Sequence, residues 1–368
     1  MATIAKNRGN PGLNRTAQRL DDLIGAGLMP PAAATDGRAE AAARFAIGVT
    51  PAVAALIDPA DPEDPIARQY LPAADELRVT AAELADPIGD KAHSPVRGIV
   101  HRYPDRVLLM PVEICAVYCR FCFRREVVGP GAKMLDEPAL DAAIAYIAGQ
   151  PDIFEVILTG GDPLMLSPQR LAALIARLAA IDHVQVIRLH SRIPVAAPDR
   201  ITPAMADALA QAGDKAVYVA VHCNHPRELT PEARAGLRLM SAAGVTLLGQ
   251  SVLLAGVNDD IETLAALMRG LVAARVKPYY LHQLDLARGT GHFRVPIEKG
   301  RALMRALRGR VSGLAQPTYI LDIPGGQGKS PITADWIAAA EDGCGWWVED
   351  WQGRRHRYVE PRPDSDTD

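Results

Sequence analysis

Three cysteines stand within eight residues of this chain, Cys115, Cys119 and Cys122, in the stretch Cys-Ala-Val-Tyr-Cys-Arg-Phe-Cys. The C-x3-C-x2-C spacing puts three thiolates on one short loop, enough to bind three irons of a 4Fe-4S cubane and leave the fourth without a protein ligand. An open iron can bind a substrate or cofactor. A structural zinc site, which favours four ligands in paired C-x2-C spacing, and cysteines packed as small apolar side chains are the competing readings. Phe121 directly before the last cysteine, and the loop's place at the end of an apolar run, favour the cluster. Further on, Gly160-Gly161-Asp162-Pro163 closes a second apolar run. Adjacent glycines let backbone approach a charged ligand closely, although the same residues also make an ordinary turn. Towards the other end, Lys329 follows the turn Pro324-Gly325-Gly326-Gln327-Gly328. A Gly-x4-Gly-Lys-Ser/Thr phosphate loop needs glycine at position 323, where Ile323 stands, so that reading fails. A lysine on a flexible turn at a strand end can instead form a Schiff base with an aldehyde cofactor. An exposed surface lysine is the alternative.

These residues need a frame that brings them together. Short apolar runs at 107–114, 154–158, 184–189, 216–221, 245–254 and 278–284 alternate with amphipathic helical stretches such as 167–181, whose Leu171, Leu174, Ile175 and Leu178 share one face, and 261–275, with Leu264, Leu267, Met268 and Leu271. That alternation is the pattern of parallel βα units. Six units predict an α/β fold with a partial (β/α)6 TIM-like barrel over about 101–315. In such folds chemistry collects at the C-terminal ends of the strands, where the cysteines, the Gly-Gly turn and Lys329 all fall. Residues 1–100 carry short helical patterns, for example 39–47, and read as a helical N-terminal region. Residues 316–368 form a C-terminal extension with a seventh apolar run at 318–323, Lys329, and a hairpin around Gln352-Gly353.

Bulk properties narrow the partners. Lys and Arg number 40 against 43 Asp and Glu, and the net charge of −3 is not gathered into basic tracts, so no nucleic-acid partner is expected. A small molecule is. No segment has the apolar length of a membrane span. The polar N-terminus, with Lys6, Arg8, Arg15 and Arg19, lacks the apolar core of a secretory signal. Five cysteines, an odd number, speak against a disulfide framework and for a reducing compartment, the cytoplasm.

The cysteine loop, C-x3-C-x-aromatic-C after the first strand of a barrel, resembles the signature of the radical S-adenosylmethionine superfamily. The resemblance implies that the open iron chelates S-adenosylmethionine and that the Gly160-Gly161-Asp162 turn contacts its methionine amino group. Over about 98–331 the chain also resembles the lysine 2,3-aminomutase family, through His101-Arg102-Tyr103-Pro104-Asp105-Arg106, Arg124-Arg125, Ile187-Arg188-Leu189-His190-Ser191-Arg192-Ile193-Pro194, His222-Cys223-Asn224-His225-Pro226, Leu254-Ala255-Gly256-Val257-Asn258-Asp259, Asp285-Leu286-Ala287-Arg288-Gly289-Thr290-Gly291-His292-Phe293 and the Asp322 to Lys329 turn. This second resemblance implies conversion of L-lysine to β-lysine with pyridoxal phosphate held on Lys329. It places Arg102, Tyr103 and Arg106 at that cofactor, Ser191 and His222 among further cofactor contacts, and Arg124 at the substrate carboxylate. Asp285 and Asp322 would hold the distant ammonium. An electron donor such as flavodoxin or ferredoxin is implied as a partner.

Two departures from the family pattern matter. Members with a structural zinc carry clustered cysteines in the C-terminal region, whereas this tail has only Cys344, so no such zinc is expected and a homo-oligomer is left open. The cysteine loop and His190-Ser191-Arg192 are similar to the branch that makes β-lysine for modifying elongation factor P, and the lysine turn is similar to the free-lysine branch. A mutase for glutamate or another amino acid, and a non-catalytic iron–sulfur or zinc module, are the rival functions.

Overall fold

The computed structural model describes residues 13–359 except Pro130, Ala132, Ala334 and Cys344. Lys6 and Arg8 of the N-terminal basic stretch, and the tail cysteine, therefore lie outside the described residues. The centre is a nine-stranded sheet whose strands follow one another in chain order: β1 (Ile99–Tyr103), β2 (Arg106–Val112), β3 (Glu155–Gly160), β4 (Val186–Ser191), β5 (Ala216–His222), β6 (Thr246–Val252), β7 (Lys277–His282), β8 (Thr318–Asp322) and β9 (Lys329–Pro331). Strands β2 to β8 are parallel, and β1 and β9 lie antiparallel at the two edges. The sheet curls into a partial barrel. Its two edges are joined at one point, where the Lys329 amide donates to the Tyr103 hydroxyl at 2.7 Å.

The parallel strands match the apolar runs because a strand covered on both faces must be apolar throughout. Val156, Ile187 and Val217 stand side by side in register across β3, β4 and β5, each buried. Outside them, the helix Pro168–Ala179 starts where Ser167 caps the Arg170 amide and Pro168 sets the first turn. It buries Leu171, Leu174, Ile175 and Leu178, the face the sequence predicts. The helix Ile261–Ala273, capped by Asp260, buries Leu264, Leu267, Met268 and Leu271 in the same way. Fully burying one such side chain contributes roughly 1.5–3 kcal/mol.

The barrel is one strand longer than the six units expected. Strand β8 pairs in parallel with β7 after the crossover helix Ile297–Leu307, so the sheet runs unbroken past position 316. Strands β1 and β9 carry no apolar alternation, which is why neither reads as a strand. At the C-terminal end β10 (Ile337–Ala339), β11 (Trp346–Glu349) and β12 (Arg355–Tyr358) form a separate antiparallel sheet, with β11 and β12 making the expected hairpin. Among the described residues no helix is long and apolar enough to cross a membrane.

The N-terminal region consists of short helices, including Gly37–Arg44 and Pro65–Tyr70, around a core of its own containing Leu23, Val49, Ile66 and Tyr70. Val117 and Ala196 of the barrel join that core, and buried ion pairs add a second tie. The Glu76 carboxylate accepts from Arg120 Nε at 2.9 Å and Nη2 at 2.6 Å, and also from Arg125 Nη2. Glu76 is fully buried, while the Arg120 and Arg125 side chains are 2% and 4% exposed. Arg125 also lies 3.5 Å over the Phe45 ring, and Arg120 Nη1 donates to the Ala46 carbonyl. Breaking a buried ion pair from one side costs about 3–5 kcal/mol, because the partner is left charged and unpaired. Glu76→Gln is therefore expected to lower the free energy of unfolding by that amount in denaturant titration. Arg97→Ala, which breaks the exposed pair with Asp136, should stay within about 1 kcal/mol.

Candidate active site

A cavity of about 710 Å³ runs through the barrel, from Arg106, Glu155 and Val186 where β2, β3 and β4 begin to the cysteine loop beyond their C-terminal ends. Its walls hold Cys115, Cys119 and Cys122, Gly160, Gly161 and Asp162, Arg102, Tyr103 and Arg106, Arg124, Ser191, His222, Asp285, Asp322 and Lys329. Every residue that the sequence assigns to a cofactor or substrate thus borders one space.

The cysteine loop leaves β2 and turns without regular structure, the Cys122 amide donating to the Cys119 carbonyl at 3.0 Å. Burial pushes all three thiols up, Cys122 to about 11, so iron must displace protons to bind there. Arg192 Nη1 donates to Cys119 Sγ at 2.8 Å, and its Nη2 donates to Glu228 and Gln69. In a cubane each thiolate binds its own iron, so the sulfurs must surround a space rather than converge on a point. Three half-buried thiols on one loop, facing a cavity and supplied with a cationic donor, fit that demand.

The glycine pair closes the loop's other side. The Gly161 amide donates to the Val112 carbonyl at 2.7 Å and the Asp162 amide to the Ile114 carbonyl at 3.0 Å. A Cβ on Gly161 would collide with the Ile114 backbone, so glycine lets the end of β3 lie against the strand that leads into Cys115. Asp162 joins the next strand: its carboxylate accepts from Ser191 Oγ at 2.8 Å and from the amides of Leu164, Arg192 and Ile193. Burial pushes this carboxyl up, and those four donors pull it back.

Across the cavity, Lys329 opens β9 and its Nζ donates to Asp322 Oδ1 at 2.5 Å. Asp322 Oδ2 lies 3.4 Å from His282 Nδ1 at the end of β7. Burial works to raise the Asp322 carboxyl, but the His282 hydrogen bond and the Lys329 charge outweigh it and hold it well below the usual carboxylate range. Asp285 differs. Its Oδ1 is sealed from solvent without a hydrogen-bond partner, and burial, followed by the neighbouring Asp322 charge, pushes its carboxyl to about 7.

The cationic wall has a member that sequence reading misses. Asp90, in the segment just before β1, pairs with Arg124 at 2.9 Å and Arg102 at 3.3 Å. Arg106 lies 3.8 Å over the Tyr103 ring. An isolated aspartate in a polar stretch carries no signal in the sequence. His282 is also missed, though a polar residue ending an apolar strand in a barrel is a signal that could have found it.

Comparison with known proteins agrees with this geometry. The Radical SAM superfamily model matches residues 109–268. The L-lysine 2,3-aminomutase of Clostridium subterminale is 42% identical over 302 residues, 82% of this chain and 72% of that one. That of Acetoanaerobium sticklandii is 43% identical over 79% of this chain and 70% of its own. The chain belongs to the lysine 2,3-aminomutase family. The family is broader than one substrate, since the glutamate 2,3-aminomutase of Clostridioides difficile is 36% identical over 82% of this chain and 70% of its own. This chain is a radical SAM aminomutase family enzyme.

Two measurements test the site. Anaerobic iron and sulfide analysis should find the cluster lost from Cys115→Ala, Cys119→Ala and Cys122→Ala, and kept in Cys223→Ala, whose thiol is buried in the barrel core. Thermal unfolding of the ligand-free protein should show Asp285→Asn stabilising, and more so at high pH. Between the ordinary 3.8 and about 7, the folded Asp285 keeps a proton that the unfolded chain has released, so rising pH removes stability across that window. The full penalty is present above it. At pH 8 the variant should melt several degrees higher than wild type, with a much smaller gain at pH 5.

Proposed function

We propose that the protein is a lysine 2,3-aminomutase, an isomerase that moves the 2-amino group of L-lysine to carbon 3 and so yields β-lysine. The observation that carries this reading is the charge arrangement in the cavity. Two arginines joined through Asp90, Arg124 and Arg102, and two carboxylates, Asp285 and the Lys329-paired Asp322, border the same cavity, and one oxygen of Asp285 has no partner among the described residues. A molecule with a carboxylate at one end and an ammonium at the other matches both sets. A buried carboxylate without a partner is costly, and a cation that pairs with it removes that cost.

In this reading Cys115, Cys119 and Cys122 hold a 4Fe-4S cluster, Gly160, Gly161, Asp162, Ser191 and His222 border S-adenosylmethionine, and Lys329 holds pyridoxal phosphate with Arg102, Tyr103 and Arg106 around it. Together these groups supply, when bound, a carbon radical able to remove the unactivated hydrogen at carbon 3 and a π system for the migrating nitrogen. The chain's own residues do the rest by alignment. Arg124 fixes the carboxylate end bidentately, Asp285 and Asp322 fix the ammonium end, and the barrel wall excludes water from the space between. Lys329 must leave Asp322 to engage an aldehyde, which frees a carboxylate oxygen for the incoming cation. A reducing protein of the flavodoxin or ferredoxin kind would supply electrons, in the cytoplasm. Glutamate fits the same cavity poorly, because its side-chain carboxylate would face the charged Asp322 and the partnerless Asp285 where water is excluded.

The test is anaerobic incubation of the reconstituted enzyme with single amino acids and analysis for β-amino products. Lysine should be converted, and glutamate should be poorer by about a hundredfold or more. Asp285→Asn and Asp322→Asn should each lower the specificity constant for lysine far more than the content of either cofactor. Equal turnover of glutamate and lysine by wild type would overturn the substrate assignment.

A further inference from the structure

Arg124 presents a problem of orientation. A guanidinium has five N–H groups and turns freely about its stem, yet bidentate capture of a carboxylate needs two of them parallel and facing the ligand. The structure shows how Arg124 is held. Its Nε donates to Asp90 Oδ2 at 2.9 Å, its Nη2 lies 2.9 Å from the same oxygen, and its Nη1 donates to Thr159 Oγ1 at 3.3 Å. At least one N–H on each of Nη1 and Nη2, the two nitrogens of the outer edge, is left for a ligand. The Arg124 and Asp90 side chains are only 11% and 15% exposed, so water offers Nε little replacement for the lost acceptor.

We propose that Asp90 is a positioning residue that turns the outer edge of Arg124 towards the substrate carboxylate and so sets which end of the substrate meets the radical. The proposal rests on the reading of Arg124 given above. Asp90 is itself held in place, since Asp86 accepts from the amides of Asp90 and Lys91 at 2.9 Å each. Between them, Gly89 lies so close to the lysine turn that a Cβ would come within 2.7 Å of the Gly325 carbonyl carbon. The same short segment therefore touches the turn that carries Lys329 and orients Arg124. Asp90 does not neutralise the anion site. Its Oδ1 is shared with Arg102 Nη2 at 3.3 Å, so one carboxylate serves two guanidiniums and a net positive charge is left for the ligand.

The experiment titrates wild-type and Asp90→Asn holoenzyme with L-lysine and with 1,5-diaminopentane, which is lysine without its carboxylate. S-adenosylmethionine is withheld, and the absorbance change of bound pyridoxal phosphate is followed. Asn keeps the size and removes the charge that holds Nε. The expected result is weakening of lysine binding by at least about tenfold, the scale of one charge-assisted hydrogen bond. Diaminopentane affinity and iron content should stay at the wild-type values. Equal or tighter lysine binding by the variant would overturn the proposal, tighter binding meaning that Asp90 is a stand-in anion that substrate displaces. Equal weakening for both ligands would overturn it too, as a general structural effect. A wild-type enzyme that binds lysine no better than diaminopentane would instead refute the carboxylate role of Arg124.

Discussion

The buried carboxylate of Glu76 is the interaction on which the site depends. The loop carrying the three cysteines has no ladder or helix of its own, so its shape must be imposed from outside. Arg120 sits inside the cysteine motif and Arg125 just beyond it, and both reach Glu76 in the N-terminal region. Arg125 in turn donates to the carbonyls of Arg120 and Gly289, which ties the loop to the segment after β7. Two guanidiniums and one carboxylate in a dry interior hold only one arrangement well, because any other leaves a charge unpaired. The N-terminal region thus sets the shape of the loop it packs against.

The same economy of charge organises the cavity. Its ionic groups form two sets, arginines tied by Asp90 and carboxylates near Lys329. Neither set is internally satisfied. Arg124 and Arg102 share the Asp90 carboxylate, and Asp285 has an oxygen with no partner among the described residues. Imperfect pairing lowers the stability of the protein alone and is offset when a ligand carrying both charges pairs with both sets.

The barrel and most of the site were legible in the sequence because each left a local mark. The apolar runs are strands because a doubly covered strand must be apolar throughout, and Leu171, Leu174, Ile175 and Leu178 mark a helix by their period. The cysteines and the lysine turn are marked by spacing. What escaped notice depends on distant pairing. Strand β1 is His-Arg-Tyr for much of its length and is a strand only because β2 offers it an edge, and β9 is three residues long. Asp90 has no motif, and its meaning comes from the two arginines that the fold brings to it. Gly161 was legible as a close-approach residue, but what approaches it is backbone of Glu113 and Ile114 just after β2, a relation visible only in three dimensions.

The hydrogen bond from Lys329 to Tyr103 has a meaning in time as well as in space. It joins residues 226 positions apart. At about 5–20 residues per second, a ribosome needs roughly 10–45 seconds after making Tyr103 to make its partner. Glu76 is already synthesised at the start of that interval and the cysteine loop follows soon after, while the barrel is still missing most of its wall. A nascent chain therefore carries thiols without the enclosure that later surrounds them, and Lys329 arrives after every strand of the parallel sheet. Order of synthesis makes the three thiols the part of the cavity lining longest exposed to oxidants, and Lys329 joins that lining only once the parallel sheet has been made.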